Sequence, residues 1–115
     1  HYYDGTDTTC SYIMLACAPD ATDTELLQAI REKRFYATQG PEVHLDIVGD
    51  EAVVRCSPAA RITLFTNRVW GRGHSVRGEN LTEHRAKLDP TETFIRAEVT
   101  DANGKMAWSN TIRLK

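Results

Sequence analysis

No stretch of the sequence holds the roughly 20 consecutive apolar residues that a membrane-spanning helix requires. Cysteine is scarce: Cys10, Cys17 and Cys56 make an odd set without a Cys-x-x-Cys spacing, which excludes a disulfide framework and leaves a zinc knuckle unsupported. Three such thiols read as small buried or half-buried side chains in a reducing compartment, so a cytoplasmic location is expected. There is no excess of positive charge either. Lys and Arg number 14 against 16 Asp and Glu, for a net charge of −2, so neither a nucleic-acid nor a membrane partner is expected. Repeats and low-complexity tracts are missing, as is a signal peptide. The chain opens His1-Tyr2-Tyr3-Asp4 without a start Met, so its amino end reads as processed or cut.

What remains is the composition of an ordinary globular domain, 41% hydrophobic and 26% charged, and 115 residues suffice for one modest core. Residues 1–11 are polar and turn-rich. Tyr12 to Cys17 is an apolar run of strand length, ended by Pro19. Thr22-Asp23-Thr24-Glu25 has the form of a capping box, in which Thr22 accepts from the Glu25 amide and Glu25 reaches back. Leu26, Leu27, Ala29 and Ile30 then form an apolar stripe, and Arg31 to Arg34 a basic last turn. This predicts a helix over 22–34, followed by a turn at Gln39-Gly40-Pro41.

Beyond that turn the period falls to two. Val43, Leu45 and Ile47 alternate with His44, Asp46 and Val48, and Gly49-Asp50 suits a tight hairpin. A return strand over Ala52–Cys56 should break at Ser57-Pro58, with another strand over Arg61–Thr66. Residues 67–80 read as a loop holding one short strand, and Leu81–Leu88 as a strand. Thr93 to Thr100, Lys105 to Trp108 and Thr111 to Leu114 are further strands, with Asn103-Gly104 in a hairpin loop and a bulge or bend at Ser109-Asn110. The predicted fold class is α+β, mainly β: a small antiparallel β-sandwich with one capped helix near the amino end.

Few residues suggest chemistry. His1, Asp4 and Asp7 are suitable ligands for a divalent metal, but three such residues at a terminus are a weak signal beside the reading of a frayed polar tail. His44, on the polar face of its strand, together with His74 and His84, lacks the helical pairing of a zinc-protease motif. Arg68, Arg72, His74 and Arg77 surround Trp70 in a basic loop. Guanidinium groups beside a stacking ring can hold an anion or single-stranded nucleic acid; the alternative is a surface loop whose Trp70 covers one end of the sandwich. Arg68, Trp70 and Arg72 are the candidate binding residues. Gly71-Arg72-Gly73 has no phosphate-loop context, and Ser57 and Ser109 no nucleophile-elbow context. Trp108 is expected to pack its ring in the core while Asn110 bonds backbone at the bend.

Several of these segments together resemble a known family. Glu25 to Ile30, then Arg34-Phe35-Tyr36-Ala37-Thr38, then Gly40-Pro41-Glu42-Val43, are similar to the end of the PHP (polymerase and histidinol phosphatase) domain of metal-dependent phosphoesterases. Val53 to Pro58, Arg96 to Ala102, Gly104 and Ala107-Trp108-Ser109-Asn110 resemble the carboxy-terminal domain associated with it. The family pattern departs at three places: Lys33 stands where Gly is usual, Gln39 where Thr is, and Thr111 where Pro is. If Lys33 keeps the positive φ of a helix-ending Gly, that change costs about 1 kcal/mol.

The resemblance implies a parent with a distorted β/α barrel around divalent metals (Zn, Mn or Fe). Its last metal motif would be an Asp-x-His followed by Tyr, which His1 and Tyr3 match. Residues 1–40 would then be the tail of the barrel and 41–115 an accessory β-sandwich. His1 would be a metal ligand in the intact parent only, and the fragment would hold no cofactor of its own. Its expected role is non-catalytic: capping the barrel, shaping substrate access or joining subunits into a homo-oligomer. The rival expectation is an independent binding module built on Trp70 and Arg72; a self-contained metal hydrolase on His1, Asp4 and Asp7 is a distant third.

Overall fold

The computed structural model describes residues 11–69 and 73–115. In chain order the elements are β1 (Tyr12–Leu15), α1 (Asp23–Arg31), β2 (Phe35–Thr38), β3 (Val43–Val48), β4 (Glu51–Thr66), β5 (Ser75–Lys87), β6 (Phe94–Thr100), β7 (Met106–Ser109) and β8 (Ile112–Arg113).

Thr22 starts the helix as its sequence suggests. It has extended backbone angles, and its Oγ1 accepts from the Glu25 N–H at 3.3 Å. One of the orphan amides of the first turn is thereby satisfied. The helix stops sooner than its charge pattern predicts, at Arg31 with Glu32 as the cap. The Arg34 N–H donates to the Ala29 carbonyl and the Lys33 N–H to the Ile30 carbonyl, at 2.9 and 3.1 Å. Those two bonds are the Schellman closure, which requires a left-handed residue between cap and exit. Lys33 is that residue, with φ 58°. The position that most favours glycine therefore carries lysine.

β1 and β2 flank the helix and pair antiparallel, Tyr12 opposite Thr38 and Leu15 opposite Phe35. β2 continues onto β7, so the described residues form one eight-stranded sheet that runs β1-β2-β7-β6-β4-β3, with β5 on β4 and β8 on β6. The Gly49-Asp50 turn closes the β3–β4 hairpin as expected, with Gly49 at φ 62°.

β4 differs from expectation. It is one strand of 16 residues that passes through Ser57-Pro58 without a break. Its first half pairs with β3 as far as Cys56, and its second half pairs with β6 from Arg61 onward. β5 runs along the other edge of both halves, with irregular register between Arg55 and Arg61. Pro58 falls in the interval where β4 changes partner, so its missing N–H removes no ladder bond. The same interval explains the second difference. Residues 75–80, within the segment expected to be a loop holding one short strand, belong to the long strand β5, and Asn80 absorbs the register irregularity by adopting φ 51°.

Changing partners along one strand folds the sheet over. β3 approaches β6 and β7 without bonding to either. The two layers enclose a core of Val43, Val54, Ile62, Leu64, Ile95, Val99 and several alanines. Alternation decides which residues enter: Ile95, Ala97 and Val99 are buried between half-exposed Arg96 and Glu98. The fold is thus α+β, mainly β, a small antiparallel sandwich with one capped helix. Trp108 corrects an expectation. Ala107 takes the core position, and Trp108, paired with Glu98 and Ala37, lies half-buried on the opposite face. Asn110 behaves as expected, donating to the Phe35 carbonyl at 2.6 Å and the Lys33 carbonyl at 3.3 Å. Cys56 is half-buried, as expected, but Cys17 is exposed. No helix among the described residues is long and apolar enough to cross a membrane.

Candidate functional site

The basic loop between β4 and β5 is fastened to the β5–β6 connection. Asn67 donates from Nδ2 to the Thr91 carbonyl at 3.1 Å and accepts the Thr93 N–H at 2.8 Å. Arg68, one of the candidate binding residues, forms an ion pair with Asp89 at 2.8 Å. Bonds from the Thr91 hydroxyl and amide, with the Arg68 charge, hold the Asp89 carboxyl below its ordinary range. The guanidinium of Arg68 is therefore already engaged. Trp70 and Arg72, the other two candidates, lie outside the described residues, as do His1, Asp4 and Asp7. Arg77 belongs to β5 rather than to the loop, opposite Arg61.

The three described histidines are dispersed. His44 is exposed on β3, and its ring meets that of Tyr36 edge to face at 5.5 Å. His84 bonds the Gly73 carbonyl. His74 has an unexpected partner: its Nε2 lies 3.0 Å from Oε1 of Glu92, whose side chain is wholly buried. Among the described residues, Glu92 Oε2 has no hydrogen-bond partner. No sequence motif singled out Glu92. It sits between two threonines, and a lone glutamate there reads as solvated surface.

A second feature is an open groove of about 740 Å³ where the layers diverge, between the α1–β2 corner and β3. Met14, Tyr36, Val43, Leu45 and Ile112 supply apolar lining. Lys33 and Arg34 stand at the α1–β2 side, Glu42, His44 and Asp46 at the β3 side. Burial raises the Tyr36 hydroxyl above its ordinary pKa, helped by the nearby charge of Glu42 and by Tyr12. Arg34 pairs with Glu32 at 2.8 Å and donates to the Ala16 carbonyl at 3.2 Å.

A third feature is apolar surface at the amino-terminal end of the sheet. Tyr12, Ile13 and Met14 on β1 are 46–50% exposed, Leu27 on α1 is 54% and Ile30 is 41%. Among the described residues β1 is the end strand of the sheet, and it carries no charged residue. Such edges are normally blunted by charge, proline or a covering element.

Comparison of the chain with protein-family models, with curated proteins and with solved structures returned no match.

Proposed function

We propose that this chain is a non-catalytic accessory unit of a PHP-type metal-dependent phosphoesterase, seated against the catalytic barrel through β1 and α1. The observation that carries the reading is the exposure of Tyr12, Ile13, Met14, Leu27 and Ile30 on neighbouring elements at one end of the sheet. Scattered single apolar residues need no explanation, whereas an uncharged edge strand beside a half-exposed helix stripe is the surface an inter-domain contact would cover. The sequence resemblance over Arg34–Val43 and Ala107–Asn110 supports the identity of the partner. Seated there, the sandwich would cap the barrel and bound the substrate entrance. The metals and the phosphoryl chemistry would belong to the barrel, with His1 as a ligand only in the intact parent. The rival reading, a ligand site on Arg68, Trp70 and Arg72, ranks second because Arg68 would first have to leave Asp89.

The test is hydrolysis of p-nitrophenyl phosphate with added manganese, by this chain and by a longer one extended upstream through a barrel. Hydrolysis by the longer chain only is expected. Turnover by the 115-residue chain, abolished in His1→Ala, would overturn the proposal.

A further inference from the structure

The strained residue and the groove belong together. Lys33 holds a left-handed conformation, φ 58°, that glycine would adopt without strain, and it lines the groove. Non-glycine residues in that region persist when something else repays them, and they cluster at functional sites. Lys33 has no ion-pair or side-chain hydrogen-bond partner among the described residues, whereas its neighbour Arg34 is neutralised by Glu32. The groove therefore presents a cation without a side-chain partner among the described residues beside an apolar lining.

We propose that this groove binds an aryl anion, a flat apolar body carrying one phosphonate, phosphate or carboxylate group, with Lys33 as its charge contact. The inference does not rest on the accessory role proposed above, although Met14 belongs to both surfaces. Its volume, about 740 Å³, lies in the range of small-ligand sites. Tyr36, Val43 and Leu45 offer apolar contact, and the edge-to-face pair of Tyr36 and His44 supplies aromatic surface for the ring. The charge pattern sets the direction of binding. Glu42 and Asp46 on the β3 side repel an anionic head, so it seats toward Lys33 with the ring lying across Tyr36. Arg55, also on the β3 side, is 3.9 Å from Glu83 and is outnumbered there by Glu42 and Asp46.

The experiment follows amide shifts of the 115-residue chain on titration with phenylphosphonate. Benzyl alcohol and inorganic phosphate serve as probes of the ring and the charge alone. Saturable shifts are expected at Lys33, Tyr36, Val43 and Leu45, with both partial probes binding at least about tenfold more weakly. Lys33→Gly is the decisive variant, because it relieves the strain and removes the cation together. It should melt at a higher temperature than the parent and bind phenylphosphonate about tenfold more weakly. Undiminished binding by Lys33→Gly, equal binding of benzyl alcohol, shifts centred on Arg68 instead, or no saturation at millimolar ligand would each overturn the proposal.

Discussion

At the scale of single residues, two side chains stand where local rules would not put them. Lys33 is one. A non-glycine residue in the left-handed region loses about 1 kcal/mol to contact between its Cβ and the following carbonyl. The positive charge at a helix carboxy terminus returns part of that. Lys33→Gly should therefore raise the free energy of unfolding by up to about 1 kcal/mol, read from a urea titration with unchanged slope. Glu92 is the other. Its buried carboxyl leans on His74 for the bond to Oε1 and leaves Oε2 without a partner among the described residues. Removing His74 leaves a buried acid stripped of that bond, which costs about 3 kcal/mol. Replacing both by leucine removes the polar groups together and should cost less than about 1 kcal/mol. His74→Ala and the double variant, compared by thermal melting, separate the two outcomes. Equal losses would mean that the site matters for its shape and not for its charge.

At the scale of elements, the legibility of the fold follows how local its causes are. The helix start was legible because Thr22 and Glu25 interact within one turn, and the β3–β4 hairpin because Gly49-Asp50 and the alternation of Val43, Leu45 and Ile47 agree. The β6–β7 hairpin is local too: the Asp101 carboxylate accepts the Asn103 and Lys105 amides at 2.9 Å, and Gly104 takes φ 81°. The continuity of β4 was not legible, because it depends on which distant strand flanks each half. A Ser-Pro pair reads as a break unless the neighbours of Pro58 are known to change there. Trp108 was misplaced for a similar reason, since its face is fixed by pairing with Glu98 and Ala37 rather than by its own hydrophobicity. Near the candidate site, Glu92 was not legible, since nothing in its neighbours marks it as enclosed. The account of β4 makes a contrast that can be measured. Pro58→Ala should alter stability by no more than about 0.5 kcal/mol, since no ladder partner depends on that position. Val54→Pro, four residues earlier, sits between Leu45 and His84 in a doubly paired stretch. It should remove a ladder bond there and cost about 3 kcal/mol or more in the same urea titration.

At the scale of the whole molecule, the question is what the amino-terminal end of the sheet is for. The core is shared by strands from Val43 to Ala107, so the sandwich does not draw on β1 for its interior. β1 instead lengthens the sheet by one short strand whose side chains stay half in water, and α1 buries only Ala29 completely. Sandwich stability and the apolar surface are therefore separable. Isolated in solution, the chain should satisfy that surface by pairing with copies of itself, because an uncharged edge strand is a template for a further strand. Sedimentation velocity should show association that grows with concentration. Ile13→Lys and Leu27→Glu together place opposite charges on β1 and α1, away from the buried core. They should return the chain to monomer while changing unfolding stability by less than about 1 kcal/mol, as surface substitutions do. If the same pair also weakened hydrolysis in a longer chain carrying the barrel, without moving the melting of the sandwich, the surface would be the seat of the accessory role. If the parent chain stayed monomeric at every concentration and the longer chain were indifferent to both changes, β1 and α1 would need no partner and the proposed docking would fail.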